Sequence, residues 1–148
     1  MPRLTREEAK ALGRRAQQPT RAPGELLAVW VSGKLVNPLN ASAWGWQKRS
    51  RTAKAWKERV AVALMESPNH GGHMARTPKR VLFTASTHNR MDSDGLQAAL
   101  KPVRDALVEC GVISGDADRD GHEFVYTQVI DRARRGVEVR VSLRKDGA

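Results

Sequence analysis

The chain of 148 residues holds one cysteine, one tyrosine and two phenylalanines, and no long apolar run. Each shortage excludes something. Cys110 alone cannot close an internal disulfide, and without a second cysteine it cannot build a zinc ribbon or finger. A membrane span needs ~18 consecutive apolar residues, so no membrane partner is expected. The N-terminal MPRLTREEAK is charged where a secretory leader carries its apolar stretch, so a cytoplasmic protein is expected. Acidic residues are also few, 16 against 26 Lys+Arg, for a net charge of +10. A surplus of that size points to a polyanion, most simply nucleic acid, and not to a small-molecule substrate. With 40% apolar residues, this length suits one domain around one core and excludes disorder throughout.

The charge is unevenly spread. Residues 1–91 carry 17 Lys+Arg against 5 Asp+Glu, residues 92–123 carry 3 against 8, and residues 124–148 carry 6 against 3. The blocks are therefore +12, −5 and +3. An acidic island weakens the field that attracts phosphates, so something local requires the carboxylates.

The first 23 residues, with six Lys+Arg and with Pro19 and Pro23 near their end, read as a flexible basic arm ahead of a domain over 24–148. Leu26 to Ser32 is apolar and strand-like, and the loop that follows is marked by Asn37-Pro38 and Gly45. From Ser50, the spacing of Ala53, Trp56, Val60, Ala63 and Leu64 predicts an amphipathic helix with a basic outer side. Arg80 to Ser86 is a second strand. Leu96, Ala99, Leu100, Val103, Leu107 and Cys110 recur at helical spacing. Phe124–Ile130 and Val137–Leu143 alternate as two strands, and Gly136 offers the positive φ of a hairpin. The sum is a small α/β or α+β sandwich: a mixed sheet of about four strands packed with two main helices.

The chemistry concentrates between Asn89 and Gly121. Asp92 and Asp94 stand two apart after the second strand, and extended backbone would turn them to one side. Two close carboxylates raise one another's pKa unless a cation shares them, so such a pair suits a hard divalent metal. Lys101 and Asp105 are four apart on one helix face. Pro102 disfavours helical geometry at Lys101, which predicts a kink or a late helix start that aims the lysine. Each feature alone is more often a solvated turn or a surface pair. Asp116-Ala-Asp118-Arg-Asp-Gly121 opens like an EF-hand loop, but position twelve is Thr127 instead of glutamate and a strand-like segment follows. Asp116 or Asp118 is better used as a third carboxylate beside the first pair.

Asp92-Ser-Asp94, Lys101-Pro-Val-Arg-Asp105-Ala-Leu and Gly111-Val-Ile-Ser-Gly-Asp116 together resemble the RusA family of Holliday-junction resolvases, common in bacteria and their prophages. Shorter cues extend over about Leu27 to Leu143, among them Tyr126-Thr-Gln128 and Gly136-Val-Glu-Val near the C-terminus. Gly95 stands where the family has asparagine, three extra residues separate Asp94 from Lys101, and Gly115 replaces the first of the usual acidic pair. The resemblance implies a homodimeric endonuclease that binds four-way DNA by its structure and nicks it symmetrically with Mg²⁺, Mn²⁺ being a possible substitute. It implies Asp92, Asp94 and Asp116 as catalytic metal-binding carboxylates, Asp118 as the other candidate ligand, and Lys101 as the essential basic residue, with Asp105 in support.

On this reading the basic residues Lys48, Arg49, Arg51, Lys54 and Lys57 of the first helix, Arg90 beside the acids, and Arg132, Arg134 and Arg135 before the last strand hold backbone phosphates. Trp44 and Trp46 are open to two readings, stacking on unpaired bases or packing in a core or dimer. Two other classes stay open: a catalytically impaired structured-DNA-binding protein of the same fold, and a basic RNA-binding or assembly protein.

Overall fold

The computed structural model describes residues 18–37, 45–67, 77–115, 117 and 121–144. Within them run β1 (Glu25–Ser32), α1 (Trp46–Glu66), β2 (Lys79–Thr87), α2 (Ser93–Glu109), β3 (Glu123–Ile130) and β4 (Gly136–Leu143). Both helices begin earlier than their apolar periodicity predicts. The first turn of α1, from Trp46, is wholly exposed and its N-cap, Gly45, makes no side-chain bond, so nothing in the local sequence announces it. The first turn of α2 is announced by Asp92, an N-cap whose carboxylate accepts from the Gly95 amide.

The sheet order is β1-β4-β2-β3, with β4 antiparallel to both β1 and β2, and β2 parallel to β3. The expected hairpin of the last two strands is therefore wrong: the chain leaves β3 at the sheet edge, passes the end of β2, and inserts β4 between β1 and β2. The burial of each strand explains the choice. Val137, Val139 and Val141 of β4 are fully buried, whereas Val129 and Ile130 of β3 are half exposed. Seating β4 between β1 and β2 buries three valine side chains worth roughly 1.5–3 kcal/mol each.

Register puts Leu27, Val29 and Val31 of β1, Val137, Val139 and Val141 of β4, and Val81, Phe83 and Ala85 of β2 on one face. This face forms one core with Trp56, Val60 and Leu64 of α1 and with Leu96, Leu100, Val103 and Leu107 of α2. Ala53, expected on the inner side of α1, is exposed. One charged residue also lies in the core: Lys79 is fully buried, donates from Nζ to the Thr77 carbonyl at 3.2 Å, and has its pKa lowered by that burial.

Because β1, β2 and β3 all run the same way, the segments that follow them meet at one edge of the sheet. Gly33 N donates to the Arg135 carbonyl (3.2 Å), Asp131 N to the Thr87 carbonyl (2.9 Å) and Ser86 Oγ to the Arg134 carbonyl (2.6 Å), tying the three together. No helix among the described residues is long and apolar enough to cross a membrane.

Candidate active site

Residues 34–37 after β1, 86–92 at and after the end of β2, and Arg135 before β4 line a cleft of about 730 Å³ at this edge. Its cations are Lys34, Arg90 and Arg135, and Asp92 is its acid. A second cleft, of about 630 Å³, lies on the β3 side and is also lined by Arg90, Met91 and Asp92. The short run Arg90-Met91-Asp92 is thus the ridge shared by two depressions.

That ridge is clamped from β3. The Gln128 amide donates to the Met91 carbonyl at 2.6 Å and accepts from the Met91 N–H at 3.0 Å, satisfying both backbone groups of the residue before Asp92. Next to it, Arg104 of α2 donates to the Tyr126 hydroxyl at 2.7 Å and lies over the Phe124 ring, 5.3 Å from its centroid. His88 accepts from Arg135 at Nδ1 (2.9 Å), which leaves Nε2–H to donate to the Arg132 carbonyl (3.0 Å). These braces join elements distant in sequence, and nothing in the sequence pattern announces them.

Asp92 is extended (φ −70°, ψ 169°) and α2 begins at the next residue. The extended backbone that would have aligned Asp92 with Asp94 therefore ends at Asp92, and Asp94 sits in the first helical turn. Gly95 N holds one Asp92 oxygen, Oδ1, at 2.7 Å. Asp94 is exposed, with no hydrogen bond or ion pair among the described residues. Both carboxylates lie in the favourable field of the α2 N-terminus. Mg²⁺ takes one or two carboxylates and keeps several waters or substrate oxygens, so Asp92 and Asp94 are donors of a fitting chemistry. Among the described residues no three His, Cys, Asp or Glu side chains group as metal ligands. Asp116 and Asp118, the candidates for the third position, lie outside the described residues, as do Trp44 and residues 1–17 of the arm.

Lys101 departs from expectation. α2 starts well before it and runs through Pro102, so there is no late start. Seven residues after Asp94, Lys101 falls on nearly the same helix face, about 10 Å further along. Its Nζ lies 3.5 Å from Asp105 Oδ2, both groups being more than half exposed. It lines neither cleft.

The basic residues divide into two sets. Lys48, Arg49, Arg51 and Lys54 are exposed on α1. Lys57 is paired with Glu109 at the far end of α2. Arg134 stacks over the Trp30 ring, 3.7 Å from its centroid, and so supports β1 instead of facing outward. Arg132 is exposed, and Arg90 and Arg135 line the cleft. Lys34 was missed from the sequence because nothing distinguishes a lone lysine ahead of a loop; only the fold brings it to the cleft that Asp92 also lines. Trp46 is 77% exposed and so takes no part in the core of this chain. No protein-family model, curated protein or solved structure matches the chain.

Proposed function

We propose that this protein is a Mg²⁺-dependent, structure-selective endonuclease that resolves four-way DNA junctions by paired nicks, working as a homodimer. The observation that carries the reading is the ridge at Asp92, where a groove bearing Lys34, Arg90 and Arg135 passes the start of the helix that holds the acid pair. The resemblance of Asp92-Ser-Asp94 and Lys101-Pro-Val-Arg-Asp105 to RusA-type resolvases supports the same chemistry.

In this reading the groove cations bind the phosphates on either side of the scissile one, which fixes the strand without reading its sequence. Exposed Lys48, Arg49 and Arg51 extend the positive surface over the first turns of α1, which carry no acidic residue. Asp92 and Asp94 would hold Mg²⁺, with Asp116 or Asp118 completing the set, and the metal would supply activation of water and charge stabilisation at the phosphate. Gln128 keeps the Met91 backbone, and so Asp92, in place. Lys101 must leave Asp105 to reach the phosphate, an exchange made easy by the small worth of an exposed pair.

The test is gel-resolved cleavage of a synthetic four-way junction beside a linear duplex, with and without Mg²⁺, by wild type and Asp94→Asn. Symmetric Mg²⁺-dependent nicking of the junction by wild type, with binding but no cleavage by Asp94→Asn, is expected. Equal cutting of linear duplex by both proteins would remove both the site and the selectivity. Junction binding without nicking at any Mg²⁺ or Mn²⁺ concentration would select the impaired DNA-binding protein.

A further inference from the structure

We infer that Asn37, in the segment after β1, is a positioning residue for Asp92, an inference that rests on the metal reading of the site. The observation is at Gly95. This glycine is buried in the first turn of α2, and its φ is not in the left-handed region, so its backbone makes no demand for glycine. Space makes the demand. A Cβ there would lie 2.4 Å from Asn37 Nδ2, 3.0 Å from Asn37 Cγ and 2.6 Å from Asp92 Oδ1. The amide of Asn37 thus occupies the volume into which a side chain at 95 would project, and its nitrogen end leads.

The carboxylate oxygen beside that amide is the one already tied to Gly95 N at 2.7 Å. Asn37 Nδ2 and Asp92 Oδ1 both lie within 2.6 Å of one point. Asp92 Oδ1 is therefore tethered by its own helix and lies beside a polar amide from the segment after β1. Oδ2 is left for a cation. Outer groups of this kind typically change metal affinity 10–100-fold when removed. The sterics also couple the two positions: a side chain at 95 would displace the Asn37 amide or the Asp92 carboxylate from the space they now fill.

The experiment is calorimetric titration of Mn²⁺ alone into the full chain, with melting temperatures measured in parallel. Asn37→Ala is expected to bind Mn²⁺ about tenfold or more weakly. The double variant Asn37→Ala/Gly95→Asn is expected to recover most of that loss, since the emptied space accepts an amide from the helix side. Asn37→Ala/Gly95→Ala fills part of the space without an amide and is expected not to recover it. Should Asn37→Ala fail to fold, Asn37→Leu keeps the volume without the amide and is expected to show the same loss. Wild-type affinity in Asn37→Ala, or full recovery by Gly95→Ala, overturns the inference and leaves the metal reading standing. No Mn²⁺ uptake by the wild type overturns the metal reading and the inference with it.

Discussion

At Gly136 the backbone, with φ at +155°, approaches β1 so closely that a methyl group would sit 2.3 Å from the Val31 carbonyl oxygen and 2.7 Å from the Trp30 indole. Gly136→Ala must therefore separate β4 from β1 at the point where Arg134 covers Trp30. The expected loss is about 3 kcal/mol, measured by urea unfolding, with no change in the slope of the transition. A need for positive φ was readable at this position; a neighbouring strand drawn from the far end of the chain was not. Lys79 was unremarkable in the sequence for the same reason, since only the fold encloses it. Its burial lowers the folded-state pKa below its ordinary value near 10.5. Between those two values the unfolded chain binds more protons, so stability rises with pH across that window. The stability difference between wild type and Lys79→Met is expected to move in favour of wild type as the pH rises towards 10.5, and melting temperatures at pH 7 and pH 10 check it.

Among the elements, α2 is held to the sheet by its apolar stripe, legible in the sequence from Leu96 to Leu107, but its start is set by two contacts of different origin. One, Asp92 capping Gly95, is local, and an aspartate three residues before a glycine is a weak cap signal. The other, Gln128 bonding both backbone groups of Met91, depends on β3 lying parallel beside β2. That pairing was not legible. Two alternating strands separated by five residues satisfy a hairpin as well as they satisfy a crossing past β2, and the local pattern does not decide between them. Gln128→Leu removes the clamp while keeping the size of the side chain. It is expected to cost about 1–2 kcal/mol in stability, since a partly buried N–H and carbonyl lose their partners. It should also slow junction cleavage more than it weakens junction binding. A variant that cleaves at the wild-type rate would show that α2 alone fixes Asp92.

For the whole molecule, the net charge of +10 overstates the surface available to a nucleic acid, because the fold uses several cations internally. Arg134 is stacked on Trp30, Arg140 is paired with Glu25 and Glu138, Lys57 is paired with Glu109, and Lys79 is buried. Clustered at the carboxyl edge of the sheet are Lys34, Arg90 and Arg135, and α1 exposes Lys48, Arg49 and Arg51. Salt dependence separates these sets, since each phosphate neutralised on duplex arms adds ~0.9 to the slope of log affinity against log salt. Anisotropy titrations of a labelled junction over a salt series are expected to show that slope falling by ~0.9 in each of Lys34→Gln, Arg90→Gln and Arg135→Gln. Lys57→Gln should leave it unchanged. Arg134→Gln should lower the melting temperature while sparing the slope, because its guanidinium serves the indole and not a phosphate. If Lys57→Gln lowers the slope as much as Lys34→Gln does, the DNA path runs along the outer side of the helices instead of the strand ends, and the ridge at Asp92 loses its substrate.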